Sequence, residues 1–208
     1  SASADDPARV SASGRTRPPA TADSTMAGMG FLGRVWLTWL SKPAAERPLY
    51  RHVLAARPRR ILEIGLGLLG RTERMLLASA GGSEPVHYVG LDRFEGRAPS
   101  DPPGVSLKTA HKRLHALGRV QLVPGNADAS LARLGNHLGT FDLVLVSADH
   151  DERHMERSWF FLQRLATPTT TMFVESRSAS GTTWSVLPRQ RLDALAARAV
   201  QPGLRRAG

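Results

Sequence analysis

Five short apolar runs punctuate the chain, and each is followed by a stretch with helical spacing. Ile61–Ile64, Val86–Leu91, Val120–Val123, Phe141–Val146 and Thr170–Val174 are four to six residues long and dominated by Val, Ile, Leu and aromatic side chains. Runs of that length without strict alternation read as strands buried on both faces. The segments that follow them, Arg71–Ala80, Val105–Leu117, Ser130–His137, Glu152–Leu165 and Pro188–Val200, read as helices. Five such alternations predict an α/β fold, a doubly wound and mostly parallel sheet.

Ahead of the first strand lie two more helical segments. Gly30–Leu40 places Phe31, Val35 and Trp39 on one apolar face with Leu32 and Trp36 beside them. That face is expected to pack against the main domain. A substrate cap, a partner face including self-association through these helices, and a membrane-surface contact are its other uses. Ser41-Lys42-Pro43 breaks the helix, Ala44–Ala56 resumes it, and Pro58 ends it. Residues 1–25 are rich in Ala, Ser, Pro, Arg and Thr without a hydrophobic period, and are expected to form a disordered tail. The chain thus divides into a tail over 1–25, an N-terminal helical extension over 26–58 and a sheet domain over 59–208.

Composition fits this picture. The chain has 208 residues, 41% hydrophobic and 22% charged, as in an ordinary globular domain. It has no cysteine, which excludes disulfides and thiolate metal sites. The net charge is +10, carried almost wholly by Arg, with only Lys42, Lys108 and Lys112 as Lys. The charge is spread out and lacks interleaved aromatics of the kind that stack bases, so no nucleic-acid partner is expected. No run approaches the ~20 apolar residues of a membrane span, and no secretory signal is visible, so a cytoplasmic location is expected.

In a doubly wound sheet the ligand sits beyond the carboxyl ends of the strands. Those ends carry Glu63, Asp92, Asn126-Ala127-Asp128, Ser147-Ala148-Asp149 and Glu175. An acidic rim in a basic protein suits a cationic ligand better than a phosphate-rich one. After the first strand comes Gly65-Leu66-Gly67-Leu68-Leu69-Gly70, a glycine-rich turn that opens a helix. Glu63 stands two places before Gly65, where its carboxylate would repel a pyrophosphate and attract an ammonium.

Together these residues resemble the class I S-adenosylmethionine-dependent methyltransferases. The matching motifs are Glu63-Ile64-Gly65-Leu66-Gly67, the acid Asp92 ending the second strand, Gly125-Asn126-Ala127-Asp128 after the third, and Phe141-Asp142 opening an apolar fourth strand. They span about 59–176. The resemblance implies a Rossmann-like methyltransferase fold, S-adenosylmethionine as cofactor and a small-molecule methyl acceptor. It implies that Gly65, Leu66 and Gly67 let backbone approach the amino-acid part of the cofactor, that Glu63 holds its ammonium, and that Asp92 takes the ribose hydroxyls. Arg93 or Phe94 would lie beside the adenine, with Asn126, Ala127 and Asp128 at its edge and Ser147 lining the site. Asp149 and His150 would lie near the acceptor as catalytic candidates.

The sequence departs from the pattern in two places. The family's third glycine falls at Leu69, with Gly70 one place late, which also matches the dinucleotide fingerprint. The family closes its sheet with two more strands, one antiparallel. Only Thr182–Val186 is available for that here, so a truncated far edge is expected.

Rival chemistries are weaker. Ser147 and Glu175-Ser176 stand where metal-dependent relatives carry Asp and Asp-Asn, so no metal is expected. His150 and His154 have zinc-motif spacing, but Asp151 replaces the required Glu. A nicotinamide-dependent oxidoreductase and a non-catalytic adenosyl-binding or interaction protein of the same fold stand as alternatives.

Overall fold

A computed structural model describes residues 29–81, 84–148, 155–179 and 181–200. Six strands form one sheet in the order β3-β2-β1-β4-β5-β6. They are β1 Arg60–Ile64, β2 His87–Asp92, β3 Arg119–Pro124, β4 Phe141–Val146, β5 Ala166–Ser178 and β6 Gly181–Val186. The first five run parallel, and β6 pairs antiparallel with β5. The helices are α1 Phe31–Val35, α2 Arg47–Ala56, α3 Gly70–Ser79, α4 Leu107–Leu114, α5 Ala127–Leu138, α6 Ser158–Leu165 and α7 Arg189–Val200. Among the described residues no helix is long and apolar enough to cross a membrane.

Alternation along β1 decides the two cores. Ile61 faces one side, where Leu49 and Val53 of α2, Met75 and Leu76 of α3 and Leu114 of α4 close over it. Leu62 and Ile64 face the other, against Leu131 of α5, Leu162 of α6 and Leu192 of α7. Both faces are therefore covered, which is why the central strands β1 and β4 carry apolar residues on both sides. Asp142 fixes the opposite end of the sheet from the ligand rim. Its Oδ2 accepts from the N–H groups of Arg59 at 2.8 Å and Arg60 at 2.9 Å, a structural role for the acid of the Phe-Asp pair.

Several expectations change here. β5 runs past its expected end at Val174 to Ser178 and turns back through Gly181, φ 124°, into β6. Among the described residues β6 is the one strand that follows β5, over the Thr182–Val186 stretch that the sequence offered, so the shortened far edge is as expected. The helix after β3 begins at Ala127, three residues before the expected start, because Asn126 caps it: its Oδ1 accepts from the N–H of Ala129 at 2.8 Å. Trp159, Phe160 and Phe161 are half-buried, while Ser158, Leu162 and Leu165 carry the core face of α6.

The N-terminal segment differs most. α1 continues as a wide, π-type turn over Trp36–Leu40, and Leu37 alone of the described residues from Met29 to Leu40 is buried. The expected packing of the Phe31, Val35 and Trp39 face against the domain does not occur. The Leu37 side docks instead. Ser41 Oγ donates to Leu37 O at 2.6 Å and Arg51 to Thr38 O at 3.2 Å, so the segment is held by its other side.

Candidate functional site

The site is assembled at the carboxyl end of β1. Ile64 O accepts from the N–H of Ser147 at 2.9 Å, and the N–H of Gly65 donates to Leu91 O at 2.8 Å, so the strand end is stitched to β4 and β2. The chain then turns through Gly65, φ 84°, and Gly67, φ 58°, conformations open to glycine without steric penalty. Between them the N–H of Leu66 donates to Asp92 Oδ2 at 2.7 Å, tying the glycine turn to the end of β2. Leu69 stands where the resemblance places a third glycine, and its φ of 70° is left-handed. Its side chain is fully buried in the core under α3, which holds the strained backbone in place.

Glu63 lies at the centre, fully buried. Its Oε1 accepts from Arg71 Nε at 2.8 Å and from an Arg71 terminal nitrogen at 2.6 Å. Its Oε2 accepts from Thr72 Oγ1 at 2.9 Å and from Tyr88 Oη at 2.7 Å. Tyr88 reaches it because Gly90, the residue paired with Glu63 in the ladder, has no side chain. A Cβ at position 90 would sit 3.0 Å from the Tyr88 hydroxyl and 3.1 Å from Leu66. Burial, with the Glu63 charge beside it, pushes the Tyr88 hydroxyl well above its ordinary range, so it remains a donor. Arg71 also donates to Gly65 O at 2.7 Å and lies over the Trp184 ring at 4.7 Å. Burial opposes its charge, but Glu63 outweighs that and Glu175 and Glu46 add to it, so its pKa rises.

Asp92 is satisfied in the same way. It accepts from the N–H groups of Leu66 and Phe94, and Arg97 donates to both of its oxygens. Burial opposes its charge, and these N–H and guanidinium donors outweigh it, holding the carboxyl below its usual range. Arg93 pairs with Asp101 at 2.8 Å. Two of the strand-end acids, Glu63 and Asp92, thus face arginines of the same chain, so the acidic rim expected from the sequence is electrically balanced at those two positions.

The remaining candidates are spread around this centre. Ala127 is buried at the start of α5, and the Asn126 side chain is engaged as the helix cap. Asp128 turns toward α6, where its Oδ1 accepts from the N–H of Ser158 at 2.8 Å and from the Ser158 hydroxyl. Ser147 Oγ donates to Glu175 Oε2 at 2.7 Å, and the N–H of Ala148 donates to the same oxygen at 2.9 Å, which joins the ends of β4 and β5. Asp149 and His150, with the rest of the His150–His154 stretch, lie outside the described residues. Among the described residues no group of three His, Asp or Glu is placed to hold a metal ion. A cavity of about 320 Å³ lies in the loop after β2, lined by Phe94, Arg97, Asp101, Pro102 and Val105 among others.

Sequence reading did not single out Arg71, Tyr88, Arg97 or Trp184. Tyr88 carries a signal in retrospect: it sits two residues before Gly90, so alternation puts both on the Glu63 face. Arg97 lies in an irregular loop and carries none.

No protein-family model and no curated protein matches the sequence. Solved structures do match in shape. The O-methyltransferase from Bacillus cereus, solved in complex with SAH, is 20% identical, with a TM-score of 0.51 over 89% of this chain and 83% of that one. The O-methyltransferase TomG from Streptomyces achromogenes, involved in tomaymycin synthesis and solved with SAM, is 20% identical at a TM-score of 0.49, over 66% of this chain. The MycE methyltransferase of the mycinamycin pathway, solved with Mg and SAH, is 22% identical at 0.41, over 65% of this chain. This chain spans 57% of the length of TomG and 32% of that of MycE. The Bacillus cereus match, together with the strand order, gives the chain the Rossmann-like fold of the class I methyltransferases.

Proposed function

We propose that the chain binds S-adenosylmethionine at the carboxyl end of β1 and transfers its methyl group to a small-molecule acceptor. The observation that carries this reading is the hydrogen bond from the N–H of Leu66 to Asp92. It sets an acid at the end of β2 directly against a glycine turn whose backbone is left open by Gly65 and Gly67. An amino acid joined to a ribose requires that pairing: close backbone approach at one end and a diol acceptor at the other. That the Bacillus cereus O-methyltransferase of this fold was solved with SAH supports the choice of ligand.

In this reading Glu63 faces the ligand ammonium, and Gly65, Leu66 and Gly67 line its amino-acid part. Asp92 takes the ribose hydroxyls, Arg93 lies beside the adenine, Asn126, Ala127 and Asp128 flank its edge, and Ser147 lines the centre. The side chains fit on two conditions: Arg97 releases Asp92, and Arg71 shares Glu63. The bound ligand supplies an electrophilic methyl on a sulfonium. The protein orients the acceptor in line with it and keeps water out, which for displacement at carbon is most of the work. Asp149 and His150 are the candidates for taking a proton where the acceptor must lose one.

The arginines favour a second reading as well, a protein that keeps the fold but not the ligand, because both key acids are already satisfied internally. Titration calorimetry with adenosylhomocysteine and with NAD separates the cases. Adenosylhomocysteine binding without NAD binding is expected. A folded sample that binds neither fits the second reading, and binding of NAD alone returns the oxidoreductase.

A further inference from the structure

The N-terminal segment over 31–40 presents six apolar side chains outward. Phe31, Val35 and Trp39 form one i, i+4 row and Leu32, Trp36 and Leu40 a second beside it. All six are exposed: Leu32 by 82%, Phe31 by 78% and Trp39 by 64%. Two tryptophans and a phenylalanine in one contiguous patch exceed the scattered apolar residues that monomer surfaces tolerate. The segment is also firmly seated, through buried Leu37 and the bonds from Ser41 and Arg51.

The surroundings of the patch are cationic. From Met29 to Arg59 there are six Lys and Arg residues and one acid, Glu46. Glu46 is buried and accepts from Tyr50 at 2.5 Å and from Arg74 at 3.4 Å, so it offers no counter-charge outside. Arg51 lies over the Trp39 ring at 4.6 Å and Arg74 over the Trp36 ring at 5.9 Å. Arg34 is exposed on the same segment. A symmetric contact with a second copy would bring two such basic rims together, with no acid on the patch to offset them. An anionic bilayer answers both features: headgroups for the guanidinium groups, and the acyl boundary for aromatic rings that favour that depth.

We infer that the face formed by Phe31, Leu32, Val35, Trp36, Trp39 and Leu40, with its basic rim, docks the protein on an anionic phospholipid surface. The inference does not depend on the proposed reaction. The test uses the full chain with vesicles of mixed phosphatidylglycerol and phosphatidylcholine, and of phosphatidylcholine alone. The protein is expected to float with the anionic vesicles at least about tenfold more than with the neutral ones, and to be released by high salt. Tryptophan emission is expected to shift to the blue and to be quenched by brominated acyl chains. Trp36→Ser with Trp39→Ser should lose the binding, and Val186→Ser, at an exposed position on β6, should keep it. No flotation, or equal flotation with neutral vesicles, overturns the inference. So does a dimer in light scattering that the double tryptophan variant dissolves, which assigns the face to a second copy.

Discussion

The guanidinium of Arg97 holds both oxygens of Asp92, at 2.8 Å from Oδ1 and 2.6 Å from Oδ2. A ribose diol requires the same two oxygens, so the arginine and the proposed ligand compete for one carboxylate. Arg97→Ala is therefore expected to tighten adenosylhomocysteine binding by ~1–2 kcal/mol, about one charged hydrogen bond no longer displaced. The same change should lower folding stability by ~1–3 kcal/mol, since Asp92 stays buried with one donor group fewer. Calorimetry and urea denaturation read the two effects separately. Weaker binding in a folded variant would make Arg97 part of the ligand's own contacts and end the competition argument.

Glu63 is the second shared acid. Glu63→Gln keeps the volume but loses the charge that faces Arg71. It is expected to weaken adenosylhomocysteine binding by ~1–3 kcal/mol, the range for hydrogen bonds to charged groups. Its purely structural role also predicts a loss, but of stability alone. A variant with a lower urea midpoint and unchanged affinity at saturating folded fraction would remove Glu63 from the ligand site.

Leu69 tests the displaced glycine. Its left-handed backbone costs about 1 kcal/mol, which glycine would relieve. Its fully buried side chain contributes more, since deleting a core leucine costs ~2–5 kcal/mol. Leu69→Gly is thus expected to destabilise by ~1–4 kcal/mol, although it restores the glycine that the related turn carries. A gain in the denaturation midpoint would show that strain, not packing, dominates this turn.

His87 sets a pH dependence. Burial lowers its pKa, and Arg60 and Arg119 lower it further; an Arg60 guanidinium nitrogen lies 3.0 Å from its Nδ1, which fits a neutral ring accepting there. In the unfolded chain the ring titrates near 6.5. Between the lowered folded value and 6.5 the unfolded state binds more protons, so stability rises with pH across that window and falls as pH drops below 6.5. His52, also lowered by burial, adds to the same slope. His87→Asn, which keeps an acceptor near the Nδ1 position, should flatten the slope in urea melts just below pH 6.5. An unchanged slope would place the dependence on other groups.

The sheet was legible because each strand contains a short apolar run and the turn after the first is marked by glycine. Gly65 and Gly67 form the turn after β1, at positive φ, and Asp92 ends β2 as expected. What escaped was long-range side-chain pairing. Nothing local distinguishes Arg97 from the exposed arginines, and only the folded loop turns it back onto Asp92. The Gly30–Leu40 helix was legible as an element, but periodicity names an apolar face without saying what covers it. The buried Leu37 was one residue among several on that helix, and its docking reverses the expected orientation. β6 was foreseen as a candidate strand, yet its role at the site was not, because register is needed to set Trp184 opposite Glu175.

That register gives the molecule an optical gauge. Trp184 is nearly buried on the closing strand, and its ring carries the same guanidinium that holds Glu63. A ligand that draws Arg71 toward a new partner removes a cation from the face of the indole. With Trp36, Trp39 and Trp159 replaced by phenylalanine, the emission of Trp184 is therefore expected to report events at the end of β1 without a label and without knowledge of the acceptor.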